Sequence, residues 1–458
     1  MPLPEHVRGY LIRLLERDAA ERAQVDAELD ALARAAEIHQ TRPLPEALRG
    51  WLNSATGQMR WKRARPVAAK ELADHLSDQY EAFLDEGMDE DAAAEATARE
   101  MGDAVETGTL LDRAWRPRPD WVMLGIVLAV AAVGLGLQYI WNPGLGAAAL
   151  LGRYAAGAVC LLAAYFIDYT VLAKRLWLLL AAWVAAVLLT DRLEIIQPDV
   201  LIWLFPLLLA GLVCRMGAKG TEGLANCLMA VVGFGLLLWV MHYIVLSDIM
   251  LALCSAVLLV AVCHKAFGRV RVRNLCLALL PVAFALVRHL QRMFFARSLG
   301  VSKEQNASLM TQLVRHMLFG MEPYYHDGAF ATPTETFWEW ADAQEYLLTI
   351  IRLEWGWLAM ILVLVPLVIL LGRGLMLAGR QGGRLAWLTC HTVVLTLGVQ
   401  AVWYLLVNLG ISDSGGTYGL PLIAADGLYL CQTMFLLGIL LSAQRSGQLE
   451  SGPAPIGK

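Results

Sequence analysis

The sequence predicts an all-α polytopic membrane protein of about ten transmembrane helices preceded by a small soluble helical domain. Three observations carry this reading. Long apolar segments begin only at Trp121 and fall near 121–141, 147–167, 175–191, 199–214, 223–245, 247–264, 275–294, 346–371, 386–409 and 424–443. Each approaches the roughly 20 residues that a helical crossing of the bilayer core requires. The first 120 residues are polar and acidic, with 16 Lys/Arg against 24 Asp/Glu, whereas the remainder carries 21 against 17. Basic residues also fall in every second gap: Arg113/Arg116/Arg118, Lys174/Arg175, Arg215/Lys219, Lys265/Arg269/Arg271/Arg273 and Arg373/Arg380/Arg384. The positive-inside rule places those gaps, and with them both termini, in the cytoplasm of a bacterial plasma membrane.

Three regions follow: a cytoplasmic helical domain over 1–119, clearest at 68–115, a ten-helix membrane domain over 120–447, and a flexible tail over 448–458. Within the first, Val7, Leu11, Leu14/Leu15 and then Val25, Leu29, Leu32 keep a helical period. Residues 41–65 are the least regular and hold Arg60, Lys62, Arg63 and Arg65. Leu72, Leu76, Tyr80, Phe83 and Leu84 form one face of a helix that Gly87 ends. Asp89 opens another, with Ala92, Ala93, Ala96 and Met101 inside, and a last short helix runs from Asp103 to Trp115.

Composition narrows the function. The acidic soluble part offers no basic face for nucleic acid. Met1 to Tyr10 lacks the apolar core of a signal peptide, and no nucleotide-binding glycine loop occurs. The eight cysteines lie in or beside apolar spans without metal-ligand spacing, so they read as reduced packing residues. His75 between Asp74 and Asp78 suits a solvated helix face better than a metal or acid–base site. His242, His391, Gln400 and Asn408, alone on apolar helices, read as interhelical hydrogen-bonding groups.

Glu71-Leu-Ala-Asp-His75-Leu-Ser-Asp78, Gly87, Asp91-Ala-Ala and Met101-Gly-Asp103 resemble the permease prefix domain, a small cytoplasmic helical module. That resemblance implies a regulatory or interaction role. In the membrane domain, Gly152-Arg153, Asp168-Tyr169, Gln197-Pro198-Asp199, Ser247-Asp248, Gly419-Leu-Pro421-Leu-Ile-Ala-Ala-Asp-Gly427 and Leu437-Gly438…Ser442-Ala-Gln-Arg445 follow one another in order. Together with Gln344-Glu345-Tyr346…Glu354-Trp-Gly356 they resemble the SEDS family (shape, elongation, division and sporulation; FtsW/RodA/SpoVE). Glu345, eleven residues before Gly356, then stands where that family has its essential aspartate. The departures are specific. Aspartate has become Glu345, His-Thr is Ala343-Gln344, the glutamate of Gln-Pro-Ser-Glu is Val200, and the glutamine after the basic residue of span two is Tyr154. Ser-Tyr-Gly-Gly is Ala424-Ala425-Asp426-Gly427.

The resemblance implies polymerisation of a lipid-linked disaccharide (lipid II) into peptidoglycan glycan strands on the outer face. It also implies a class B penicillin-binding protein as partner. Joining a sugar hydroxyl to an anomeric carbon needs a base, for which Glu345 is the candidate catalytic carboxylate. The departing diphosphate needs positive charge or a divalent metal such as Mg²⁺. Arg153 and Arg288 are the candidate cations, with His289, Arg292 and Arg297 beyond, and Asp426 is a further candidate in the substrate site. Ordinary roles compete: Glu345 as one acid among Glu335, Glu339 and Asp342 on an interfacial helix, Arg153 snorkelling to the interface, Arg288 paired with Asp248 or Asp426. Two other functions stay open, a lipid-linked precursor transporter (flippase) and an inactive scaffold or sensor acting through residues 1–119.

Overall fold

The computed structural model describes residues 43–62, 64–116, 119–193, 198–269, 271–298, 309–321, 333–341, 344–412 and 419–447. It is all helical; among the described residues the nearest thing to a strand is one isolated bridge, Leu420 to Ile423. The expected helices before residue 43 and the expected tail after residue 447 lie outside the described residues. The chain divides into two compact units between Arg116 and Pro117.

The first unit packs four helices: Glu46–Gly57, Arg65–Asp85, Glu90–Glu100 and Ala104–Trp115. Leu48, Leu76, Tyr80, Ala93 and Ala94 make its core. The helix Glu46–Gly57 occupies the stretch expected to be least regular. The signal was Leu44, Leu48 and Leu52 at fourfold spacing, which buries against the core. The Glu90–Glu100 helix buries Ala93, Ala94 and Thr97; Ala92, expected inside, is exposed. Asp103 caps the last helix by accepting the amides of Val105 and Glu106. A Cβ on Gly108 would come within 2.2 Å of the Ala55 carbonyl oxygen, so first and last helices meet backbone to backbone. His75 is exposed, as a solvated face requires.

The second unit holds ten helices long and apolar enough to cross a membrane: Trp121–Trp141, Ala147–Phe166, Leu176–Leu193, Asp199–Lys219, Thr221–Val240, Ile244–Cys263, Val272–Gln291, Leu347–Gly379, Arg384–Asn408 and Gly427–Ser446. They are spans one to ten below. The lysine- and arginine-rich gaps share one end of this bundle, called here the basic end. Span four is broken, a short turn Asp199–Ile202 preceding the helix Phe205–Met216. Between spans seven and eight stand two further helices, Leu309–Phe319 and Pro333–Trp340, where the aromatic content predicts helix over coil. Leu313, Val314, Leu318 and Phe337 cluster there with Tyr346 and Val407.

Span eight corrects the sequence reading. Its 33 residues would reach about 50 Å as one helix, well beyond the roughly 30 Å hydrocarbon core. Gly356 interrupts it with φ 85° and ψ 176°, a conformation open to glycine. The stretch 347–355 is therefore a separate short helix with Leu347 to Ile351 buried, and the crossing proper begins after Gly356. His242 is corrected too. It sits exposed in the turn between spans five and six, with φ 65°. His391 bonds the carbonyl of its own Trp387, not a neighbouring helix. Gln400 does reach across, donating to Gln432 of span ten.

At the basic end, Asp120 caps span one through the Met123 amide (2.8 Å) and pairs with Arg373 of span eight; Gln444 of span ten donates to it at 3.4 Å. Burial pushes the Asp120 carboxyl up, but the Met123 amide and the Arg373 guanidinium outweigh it and hold the carboxyl below the usual aspartate value. A depressed folded-state pKa adds stability that is complete above the ordinary value of 3.8 and fades as pH falls through the folded-state value. Asp120→Asn should cost about 1–3 kcal/mol at pH 7, read as a lowered thermal midpoint in detergent, and the gap to the parent protein should narrow at pH 3.

Candidate functional site

The predicted site residues all lie toward the end of the bundle opposite the basic end, in three separate settings. The first surrounds the non-helical stretch 419–426 before span ten. Leu420, Leu422, Ile423, Ala424 and Ala425 are buried there, and Leu422 has φ 66°. Backbone without helical partners, buried among apolar spans, must find its hydrogen bonds elsewhere. Tyr154 of span two donates its hydroxyl to the Leu422 carbonyl (3.2 Å), and Gln138 of span one donates to the Ile423 carbonyl (3.2 Å). Arg153 donates Nη1 to the Ala425 carbonyl (2.7 Å). Gly134 gives the segment room: a Cβ there would stand 2.6 Å from the Leu422 carbonyl oxygen.

Asp426 ends this segment and caps span ten, accepting the Tyr429 amide at 2.7 Å. Gly427 lies against the Arg153 side chain, whose Cγ would be 3.2 Å from a Cβ at 427. The fold thus brings Arg153 and Asp426 together, as neighbours joined through backbone. Spans two and ten run parallel below them. Gly157 faces Leu430 and Met434, and a Cβ on Gly438 would meet the Leu161 carbonyl oxygen at 2.4 Å.

Glu345 belongs to the second setting. Two buried side chains one turn apart on span nine, Tyr404 and Asn408, grip the chain around it. Asn408 donates to the Glu345 carbonyl (2.8 Å) and accepts from the Thr349 amide (3.0 Å), while Thr349 Oγ1 donates to the Asn408 carbonyl (2.8 Å). The Tyr404 hydroxyl donates to the Gln344 carbonyl (2.7 Å) and accepts from the Leu347 amide (3.1 Å). The backbone of 344–349 is fixed on both sides, and the Glu345 side chain stands half-exposed before the buried short helix. Asn408 acts between segments as expected; Tyr404 was not singled out in the sequence, where it looks like any interfacial aromatic.

Arg288 forms the third setting. It pairs with Asp248 of span six and reaches the Ile244 carbonyl and Ser247 hydroxyl, both at 3.4 Å. Ser247 in turn donates to the Gly235 carbonyl of span five. The ion pair is the ordinary role weighed for Arg288, with Asp248 chosen over Asp426. His289 is exposed. Arg292, Arg297, Glu335 and Asp342 have side chains outside the described residues. Among the described residues no group of three His, Cys, Asp or Glu could hold a metal ion.

One solved structure decides the fold. A chain from a structure described as coordinating polymerization and crosslinking by a peptidoglycan synthase complex aligns with 98% of its length over 72% of this chain, at TM-score 0.51 and 20% identity. This chain shares that fold. Crystal structures of the rod shape determining protein RodA of Thermus thermophilus and of an Asp-to-Ala mutant align at 18% and 19% identity, TM-scores 0.45 and 0.44. Each covers 72% of this chain, and 97% and 98% of its own. No family model and no curated protein matches the chain.

Two substitutions test the settings separately. Gln138→Leu leaves the Ile423 carbonyl without its donor and should cost about 1–3 kcal/mol, seen as a lower thermal midpoint. Asn408→Leu removes the clamp on Glu345 and should speed hydrogen exchange in 344–349 by about tenfold or more, with exchange in 420–426 unchanged.

Proposed function

We propose that this protein is a SEDS-type glycan polymerase of a bacterial plasma membrane that joins lipid-linked disaccharides (lipid II) at the outer face. Its basic end is cytoplasmic in this reading. The observation that carries it is Glu345 itself: a half-exposed carboxylate at the end away from the basic gaps, on backbone that Tyr404 and Asn408 hold fixed. The left-handed Gly356 supports the register, because the resemblance counts eleven residues back from that glycine to reach the acid.

In the reaction, Glu345 takes the proton of the attacking sugar hydroxyl as its oxygen bonds to the anomeric carbon. The bond from that carbon to the diphosphate oxygen breaks, and the electron pair leaves with the lipid diphosphate. A fixed backbone matters here because an ångström of misplacement costs on the order of 10²-fold. Arg153 is the better-placed cation for the diphosphate. One amino group is spent on the Ala425 carbonyl, which orients the planar guanidinium. The Arg288 charge is already offset by Asp248, so Arg288 acts in this reading mainly through that pair. Asp426 acts by setting the start of span ten beside Arg153. A class B penicillin-binding protein is the proposed partner, and residues 1–119 the regulatory or recruiting element.

The test is lipid II polymerisation by purified protein in nanodiscs. Glu345→Gln should lower the rate by about 10²–10⁴-fold, the usual worth of a general base. Glu345→Asp, the family's own residue, should keep or raise it. Product that persists with Glu345→Gln removes Glu345 from catalysis. Absence of product with every form, beside an active control enzyme and its transpeptidase partner, leaves the transporter and scaffold readings in its place.

A further inference from the structure

The soluble unit is acidic as a whole, yet its fold gathers cations in one place. Residues 57–65 read Gly-Gln-Met-Arg-Trp-Lys-Arg-Ala-Arg, without an acid. Asp112, buried near the end of the Ala104–Trp115 helix, draws this stretch in. Its Oδ1 accepts the Arg60 amide at 2.8 Å, and its Oδ2 lies 3.6 Å from Arg60 Nε and 3.3 Å from Arg116 Nη2. Arg65 locks the turn by donating to the Met59 and Gly57 carbonyls (2.8 and 3.4 Å).

Two guanidiniums answer one carboxylate, and both stay open to solvent: the side chains of Arg60 and Arg116 are 81% and 53% exposed. Lys62 and Arg113 beside them are exposed as well, and Trp61 is half-buried among them. The result is a cationic patch in which Arg60 and Arg116 meet on Asp112, with Lys62, Arg65 and Arg113 close to them in sequence. Cations close to a membrane span in sequence serve topology, but Arg60, Lys62 and Arg65 are more than fifty residues upstream of Trp121. Folding alone carries them to Arg116.

Position identifies the ligand. Arg116 precedes Trp121 by five residues, at most about 18 Å of extended chain, so the tether holds the patch within reach of the bilayer surface at high effective concentration. We propose that this patch binds anionic lipid headgroups and holds the soluble unit against the leaflet it faces. Each cation near an anionic surface is worth roughly fivefold in binding.

The full chain is reconstituted in nanodiscs of phosphatidylcholine alone or with phosphatidylglycerol, and hydrogen exchange is followed in 57–65 and 110–116. Exchange there should slow about fivefold or more with phosphatidylglycerol, and 0.5 M salt should reverse it at about a 4 Å screening length. K62E/R113E leaves every partner of Asp112 in place, so its thermal midpoint should match the parent while the slowing disappears. Equal exchange in both lipids overturns the proposal, as does slowing that survives K62E/R113E; slowing in both lipids would point to a neutral surface or a protein contact instead.

Discussion

A short run of backbone without helical hydrogen bonds, buried among apolar helices, governs this molecule. The carbonyls of Leu422, Ile423 and Ala425 would be ruinous in such surroundings if unpaired. Gln138, Tyr154 and Arg153 satisfy them from spans one and two. Those three bonds fix where span ten starts, which fixes Asp426 as its cap and Gly427 against Arg153. Several residues with candidate roles in chemistry are thus first of all residues that make an irregular chain tolerable at depth.

The second irregularity, around 344–356, has the same logic. A 33-residue helical stretch is too long for one crossing, and Gly356 divides it. The first part, 347–355, turns inward and buries its leucines and isoleucines, while Tyr404 and Asn408 take up the amides and carbonyls that its start leaves over. Glu345 stands at that join. Polar side chains in spans one, two and nine are spent on places where the helical pattern fails, and those places coincide with the positions at which reactive groups are proposed.

The sequence shows what period and length can show. Ten spans and the soluble helices after residue 64 are legible because apolar runs and stripes declare them, and the helices before span eight through their aromatic content. The Gly356 break is not legible in the sequence, since a lone glycine inside an apolar run does not announce a left-handed turn. Tyr154 reads as a lost glutamine, yet its hydroxyl supplies a donor to the 419–426 segment. Tyr404 and Gln138 are illegible for a plainer reason: their partners are backbone atoms 60 and 285 residues away. Site residues could be named from the motifs, but not the donors that hold them.

The seam between spans two and ten has a consequence for motion. With Gly438 so close to the Leu161 carbonyl and the Ala164 methyl, and Ser442 bonded to Ile167 beneath it, only a small side chain separates the two backbones there. Such surfaces do not slide by fractions of a turn; they part completely or stay together. Spans two and ten therefore behave as a single strut, and any opening between helices has to occur along other boundaries.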